Sequence, residues 1–329
     1  MRPLPTGIVV GHDALSGPPA IGLTLGQAGM PVAPHDVWGA WNLDPVVLSV
    51  VFLALWAHQR GRTGATGRPI DRWRGTAFGV ALGALVVALV SPLDAMAGAL
   101  ASAHMVQHVL VLLVAAPLLA WSAPSSIVLR GAPLSLRRTT VRWRRGLRPA
   151  TRRVLALGGP VAVWLIHVLV VWTWHSAVAY EGALANGWLH IAEHATFLAT
   201  GVLLWRVVIG PRAGASRVPP GLGVLLVFGM AMQGVFLSAL LTFANEPFYP
   251  GYASSTAAWG LDPLADQHLA GVLMWIPGGV VYLGVALALL VTWLRGLEDG
   301  QVSPAPAEAA QSDEVTGQTT SSRPAPGGA

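Results

Sequence analysis

The sequence predicts an all-α fold, a polytopic membrane bundle of seven transmembrane helices with the N-terminus outside and the C-terminus inside. Three observations carry this. The chain is 53% hydrophobic and only 11% charged, with mean hydropathy +0.58, whereas a soluble domain is about a quarter charged. Windows of about 20 apolar residues, the length that crosses a bilayer, recur near 40–58, 75–93, 102–121, 154–174, 188–208, 221–243 and 268–294. The cations occupy alternate gaps between those windows.

Lysine is absent, so all 20 cations are arginines. Arg60, Arg62, Arg68, Arg72 and Arg74 lie between the first two spans. Arg130, Arg137, Arg138, Arg142, Arg144, Arg145, Arg148, Arg152 and Arg153 lie between the third and fourth. Arg206, Arg212 and Arg217 mark the next even gap, and Arg295 follows the last span. The other three loops hold no arginine, only Asp94, Glu181, Glu246, Asp262 and Asp266. Basic loops stay cytoplasmic, which sets the orientation and agrees with an odd number of spans. The arginine-rich stretch 130–153 reads as a topology signal. The high pI of 10.6 reflects these loops and not nucleic-acid binding, since no soluble basic domain or aromatic-basic module occurs.

The remaining segments bracket a transmembrane domain over 37–297. Residues 1–36, with His12 and His35, lack a continuous apolar run and a small-residue cleavage site, so they read as an irregular extracytoplasmic segment and not a signal peptide. From 298 to 329 the chain turns to Pro, Ala, Ser, Gly, Gln and acidic residues, a composition expected of a disordered cytoplasmic tail. Gly75, Gly79 and Gly83 have the spacing of close helix packing. The chain contains no cysteine, which excludes disulfides, thiolate metal sites and a Cys nucleophile. A retinal Schiff base is excluded by the missing lysine.

Seven of the ten histidines gather at the arginine-free end: His104, His108, His167, His175, His190, His194 and His268. Imidazoles are costly in lipid unless paired or ligated, so this concentration marks a functional site. His104 and His108, and His190 and His194, are each four residues apart, one helical turn, so each pair shares a face. Both pairs sit at matching depth, His104 near the outer surface. His175 ends the fourth span, and His167 lies ~12 Å deeper at the helical rise. His58 ends the first span at the cytoplasmic side, where it reads as a snorkelling interfacial residue. Imidazole suits copper, zinc and iron, and the thioethers Met96, Met105, Met230, Met232 and Met274 would favour Cu(I). The expected metal ligands are His104, His108, His167, His175, His190 and His194. Glu193, Asp266, His268, Asp94 and Met105 are expected around them as orienting groups or further ligands. Trp172, Trp174, Trp188 and Trp259 read as interfacial anchors.

Four blocks resemble the multi-spanning CtaG family, assembly factors of caa-type cytochrome c oxidase. They are His104-Met105-Val106-Gln107-His108 followed by Ala115-Ala116-Pro117-Leu118-Leu119 and Ser122-Ala123-Pro124; Trp174-His175 with Tyr180, Leu184, Leu189-His190 and Glu193-His194; Tyr249-Pro250 with Tyr252; and Asp266-Gln267 with Gly271 and Met274-Trp275. The resemblance runs over about 40–295 and departs at His268 and Ala270, where less polar and Gly residues are expected. It implies a seven-span protein of the bacterial cytoplasmic membrane, not an enzyme, that handles copper and partners cytochrome c oxidase subunits. Two other classes stay open on the residues alone. One is a bis-histidine haem protein using, for example, His108 and His194. The other is a zinc-dependent membrane hydrolase using three histidines with Asp94 or Ser102 and a metal-bound water.

Overall fold

The computed structural model describes residues 32–63, 72–122, 125–210 and 218–302. His12, Arg68, Arg212, Arg217 and the expected tail from 303 onward fall outside the described residues. Every regular element among the described residues is helical: α1 (Pro45–Thr63), α2 (Arg72–Leu89), α3 (Pro92–Ala97), α4 (Ala101–Val109), α5 (Ala116–Ser122), α6 (Ser125–Gly131), α7 (Leu134–Trp174), α8 (Ala177–Ala185), α9 (Gly187–Ile209), α10 (Pro220–Thr242) and α11 (Pro263–Val302). A π-helical stretch, Leu110–Ala115, joins α4 to α5.

The chain is a multi-pass membrane protein. Five helical runs are long and apolar enough to cross a bilayer, namely α2, α4 through α5, α9, α10 and α11, and a sixth arises if Gly159–Trp174 and α8, bent by 68°, form one span. α1, which closes with Arg60 and Arg62, is not among them. Exposed side chains on the candidate spans are apolar, as in Leu169, Phe228, Phe236 and Val280. Between the helices, Phe78, Leu82, Leu85, Val111, Val171, Phe197 and Leu237 pack into the main apolar core.

The structure alters three expectations. The arginine-rich stretch 134–153 is helical, because Arg, Leu and Ala are good helix formers; it runs into the apolar half of α7 through Gly159, whose φ of 53° only glycine adopts without strain, followed by Pro160. α11 continues to Val302. Gly79 and Gly83 have no neighbour that an added Cβ would touch; α2 packs instead through Ala77, Phe78, Ala81, Leu82, Leu85 and Ala88. Close helix approach occurs at Gly271, where a Cβ would come within 2.8 Å of the Ser238 carbonyl oxygen of α10.

At the arginine-free end the connections fold inward over the bundle. α3 crosses between α2 and α4, α8 turns back from α7, and the segment between α10 and α11 forms two 3-10 turns, Pro250–Tyr252 and Thr256–Trp259. Tyr180, Tyr249, Tyr252, Leu241, Met105 and Ala270 form a second apolar cluster there. This lid buries the groups beneath it.

Candidate metal centre

α4 and α9 supply the centre. The first amides of α4 have no partner within the helix, and Asp266 of α11 satisfies them: its carboxylate accepts from Ala101 N–H at 2.6 Å, Ser102 N–H at 3.3 Å and the Ser102 hydroxyl. α9 starts at Asn186, whose side-chain oxygen accepts from the Trp188 and Leu189 amides at 2.9 and 3.3 Å, a standard N-cap. The two anchored helices then present His104 with His108, and His190 with Glu193 and His194, from facing stripes.

Ring centroids lie 4.5 Å apart for His104 and His108, 4.4 Å for His190 and His194, 5.3 Å for His108 and His194, and 5.9 Å for His104 and His194. His175 joins from the end of α7, 5.3 Å from His108. Nitrogens of His104, His108 and His194 all lie within 4.8 Å of one another, as do the ligand atoms of His104, His190 and Glu193. The two Glu193 oxygens stand 3.4 Å from Nε2 of His104 and of His108, in neither case with hydrogen-bond geometry. Exposure is 1% for His104, 2% for His108, 4% for His194 and 0% for Glu193; all four side chains are enclosed by protein.

The hydrogen bonds assign tautomers. Tyr252 donates its hydroxyl proton to the Ala97 carbonyl at 2.9 Å, so the 3.2 Å contact from His104 Nδ1 to that hydroxyl makes Nδ1–H the donor. Burial raises the Tyr252 hydroxyl well above the usual phenol range, and Tyr249 likewise, which keeps both protonated. His175 Nδ1–H donates to Val171 O at 2.8 Å and His194 Nδ1–H to His190 O at 3.0 Å, since a carbonyl only accepts. Each ring thus carries its lone pair on Nε2. Those three Nε2 atoms, both His108 nitrogens and both Glu193 oxygens are buried without a hydrogen-bond partner.

Other expected site residues stand elsewhere. His167 pairs with Thr200 Oγ1 at 2.9 Å, below the cluster beside a small chamber of about 60 Å³ that His108, His175, Met230 and Met274 also line. His268 donates to Ala244 O at 2.9 Å, which commits it to the loop after α10. Asp266 holds the end of α4 and touches no imidazole. Met105 is fully buried against Tyr180, Tyr249 and Tyr252, a packing role. Met96 packs with Ala99, Leu100 and Trp259. Asp94 accepts from Asn42 Nδ2 at 2.7 Å and Gln107 Nε2 at 2.9 Å; burial raises its carboxyl pKa and those two bonds oppose the rise. Sequence reasoning gives no role to Tyr252, Tyr180 or Gln107. Their signal in the sequence is their place in the blocks that resemble the CtaG family.

Buried lone pairs facing one another make this cluster a candidate metal site in a helical membrane protein. The chain belongs to the cytochrome c oxidase caa3 assembly factor family (Caa3_CtaG), whose family model matches residues 50–296. Among curated proteins it is similar to the Mycobacterium bovis protein Mb0105 and the Mycobacterium tuberculosis protein MT0111, both called uncharacterized, at 27% identity over 270 residues, covering 78% of this chain and 39% of theirs. The uncharacterized Mycobacterium leprae protein ML1998 is 24% identical over 287 residues, covering 81% of this chain and 41% of its own. The chain thus spans about two fifths of the length of these relatives. No solved structure matches.

Proposed function

We propose that the protein binds copper at the His104, His108, His175, His190 and His194 cluster and passes it to a subunit of a haem-copper cytochrome c oxidase during assembly, in a bacterial cytoplasmic membrane. The convergence of unpartnered Nε2 atoms around Glu193 carries this reading. A buried polar group without a partner costs roughly 1–3 kcal/mol, and acceptors that face each other add repulsion. One carboxylate can share protons with at most two of these rings, whereas a metal ion satisfies several imidazoles at once. Glu193 neutralises part of the ion's charge and stands near enough to ligate. The centroid spacings of 4.4 to 5.9 Å leave no slot for a porphyrin between α4 and α9, which favours a bare ion over haem. With no cysteine in the chain, the site holds copper through nitrogen and oxygen alone and has no thiol to oxidise. The protein's part is binding and transfer, not catalysis.

The arginine distribution supports a seven-span topology in which α1 is the first span, the N-terminus is outside and the cluster lies in the outer half of the bilayer. Metal analysis of purified protein together with its visible spectrum tests the site. Bound copper without haem bands is expected, and His108→Ala and His194→Ala should each lower it far more than His58→Ala. Zinc, haem bands, or equal loss in all three variants would overturn the reading. In cells, deletion of the gene should lower oxidase activity while haem synthesis continues.

A further inference from the structure

A cavity of about 220 Å³ lies between the start of α1, the end of α2 and the start of α9. Val47, Val51, Leu85, Leu89 and Leu198 make its walls largely apolar, and set among them are Asn42, Asp44, Asp94, His190 and His194. His194 contributes a buried Nε2 with no partner, so the cavity reaches the centre itself. The carboxylates take part only as acceptors. Asp44 receives the Val46 and Val47 amides at 2.7 and 3.1 Å, and both Asp94 oxygens receive side-chain N–H groups of Asn42 and Gln107. That is how an ionised carboxylate bonds. Two negative groups inside low-dielectric walls focus the field and concentrate cations. The chamber on the opposite, His108 and His175 side holds no carboxylate.

We propose that the α1–α2–α9 cavity is the port through which a hydrated metal cation reaches the histidine centre, with Asp44 and Asp94 drawing it in and His190 and His194 receiving it. The port rests on the proposed copper reading, but its electrostatics can be measured without metal.

Because these 329 residues contain no cysteine, single thiols report on the cavity. Val47→Cys and Ala195→Cys line it; Val178→Cys, on the 88% exposed Val178 of α8, is the reference. Each is treated with a cationic and an anionic methanethiosulfonate of similar size. Both cavity thiols should favour the cationic reagent by about tenfold relative to the reference, and adding Asp44→Asn should cut that preference severalfold. Absence of charge preference, or no reaction at either cavity thiol, overturns the port. A neutral benzyl methanethiosulfonate at Val47→Cys should then slow copper(II) association about tenfold while leaving the amount bound at equilibrium unchanged; an unchanged rate also overturns it. Wild-type protein that takes up no copper refutes the proposed function, whereas the labelling still decides whether the cavity is an open, cation-selective port.

Discussion

Tyr252 shows how much of the centre depends on a single oxygen. Its hydroxyl donates to Ala97 O and accepts from His104 Nδ1–H and, at 3.0 Å, from Tyr180 OH. Tyr252→Phe keeps the ring, which packs with Tyr180 and Leu241, but leaves three buried polar groups without a partner. It should destabilise the fold by about 1–3 kcal/mol and weaken copper affinity about 10- to 100-fold, the usual cost of losing a group that orients a ligating imidazole. Met105→Leu is the contrasting case. As a packed thioether outside the cluster it should leave affinity unchanged and cost under about 1.5 kcal/mol. Copper titration and thermal unfolding in detergent measure both, and a large loss of copper in the Met105 variant would restore the ligand role that the structure withholds. His104, His108, His190 and His194 are legible in the sequence because a four-residue spacing fixes a shared helix face. Which nitrogen of each points inward is not legible, because the tautomers depend on acceptors such as Ala97 O and Val171 O whose positions follow from tertiary packing.

Helices are legible where hydropathy is continuous and obscure where it is not. The apolar window over 102–121 contains three segments in two conformations, α then π then α, since the π stretch Leu110–Ala115 begins just after His108 and nothing in an unbroken apolar run marks a change of helical pitch. Wider turns free backbone carbonyls, and the Trp205 indole donates to one of them, Leu112 O, at 3.1 Å. The cap on α4 is equally invisible along the chain, because Asp266 lies 165 residues from Ala101. Its consequence can be tested. Asp266→Ala removes the acceptor for two amides and a hydroxyl at the end of the helix that carries His104 and His108, and should cost about 1–2 kcal/mol together with a measurable loss of copper affinity. His268→Ala, two residues along the same helix, removes only a bond to Ala244 O and should leave copper binding intact. Equal losses in the two variants would mean that Asp266 acts through general stability and not through the placement of α4.

At the scale of the whole molecule, the site and the arginines of the described residues lie at opposite ends. His190 follows the start of α9 by three residues and His194 by seven, which at 1.5 Å per residue puts them about 5 and 10 Å below that helix end. Arg206 stands in the last turn of the same helix. In the proposed topology the arginine-rich end is retained in the cytoplasm, and the lid built by α8 and the two 3-10 turns then faces outward. Copper must reach an oxidase subunit without crossing to the cytoplasmic side for the proposed transfer to operate, so topology and function stand or fall together. Reporter fusions after Arg62 and Arg145 should behave as cytoplasmic, and fusions at Glu181 and Pro250 as extracytoplasmic, by alkaline phosphatase and fluorescent-protein activity. A cytoplasmic signal at Glu181 would invert the bundle, place the histidine centre and its port against the cytosol, and remove the basis for delivery at the outer half of the membrane.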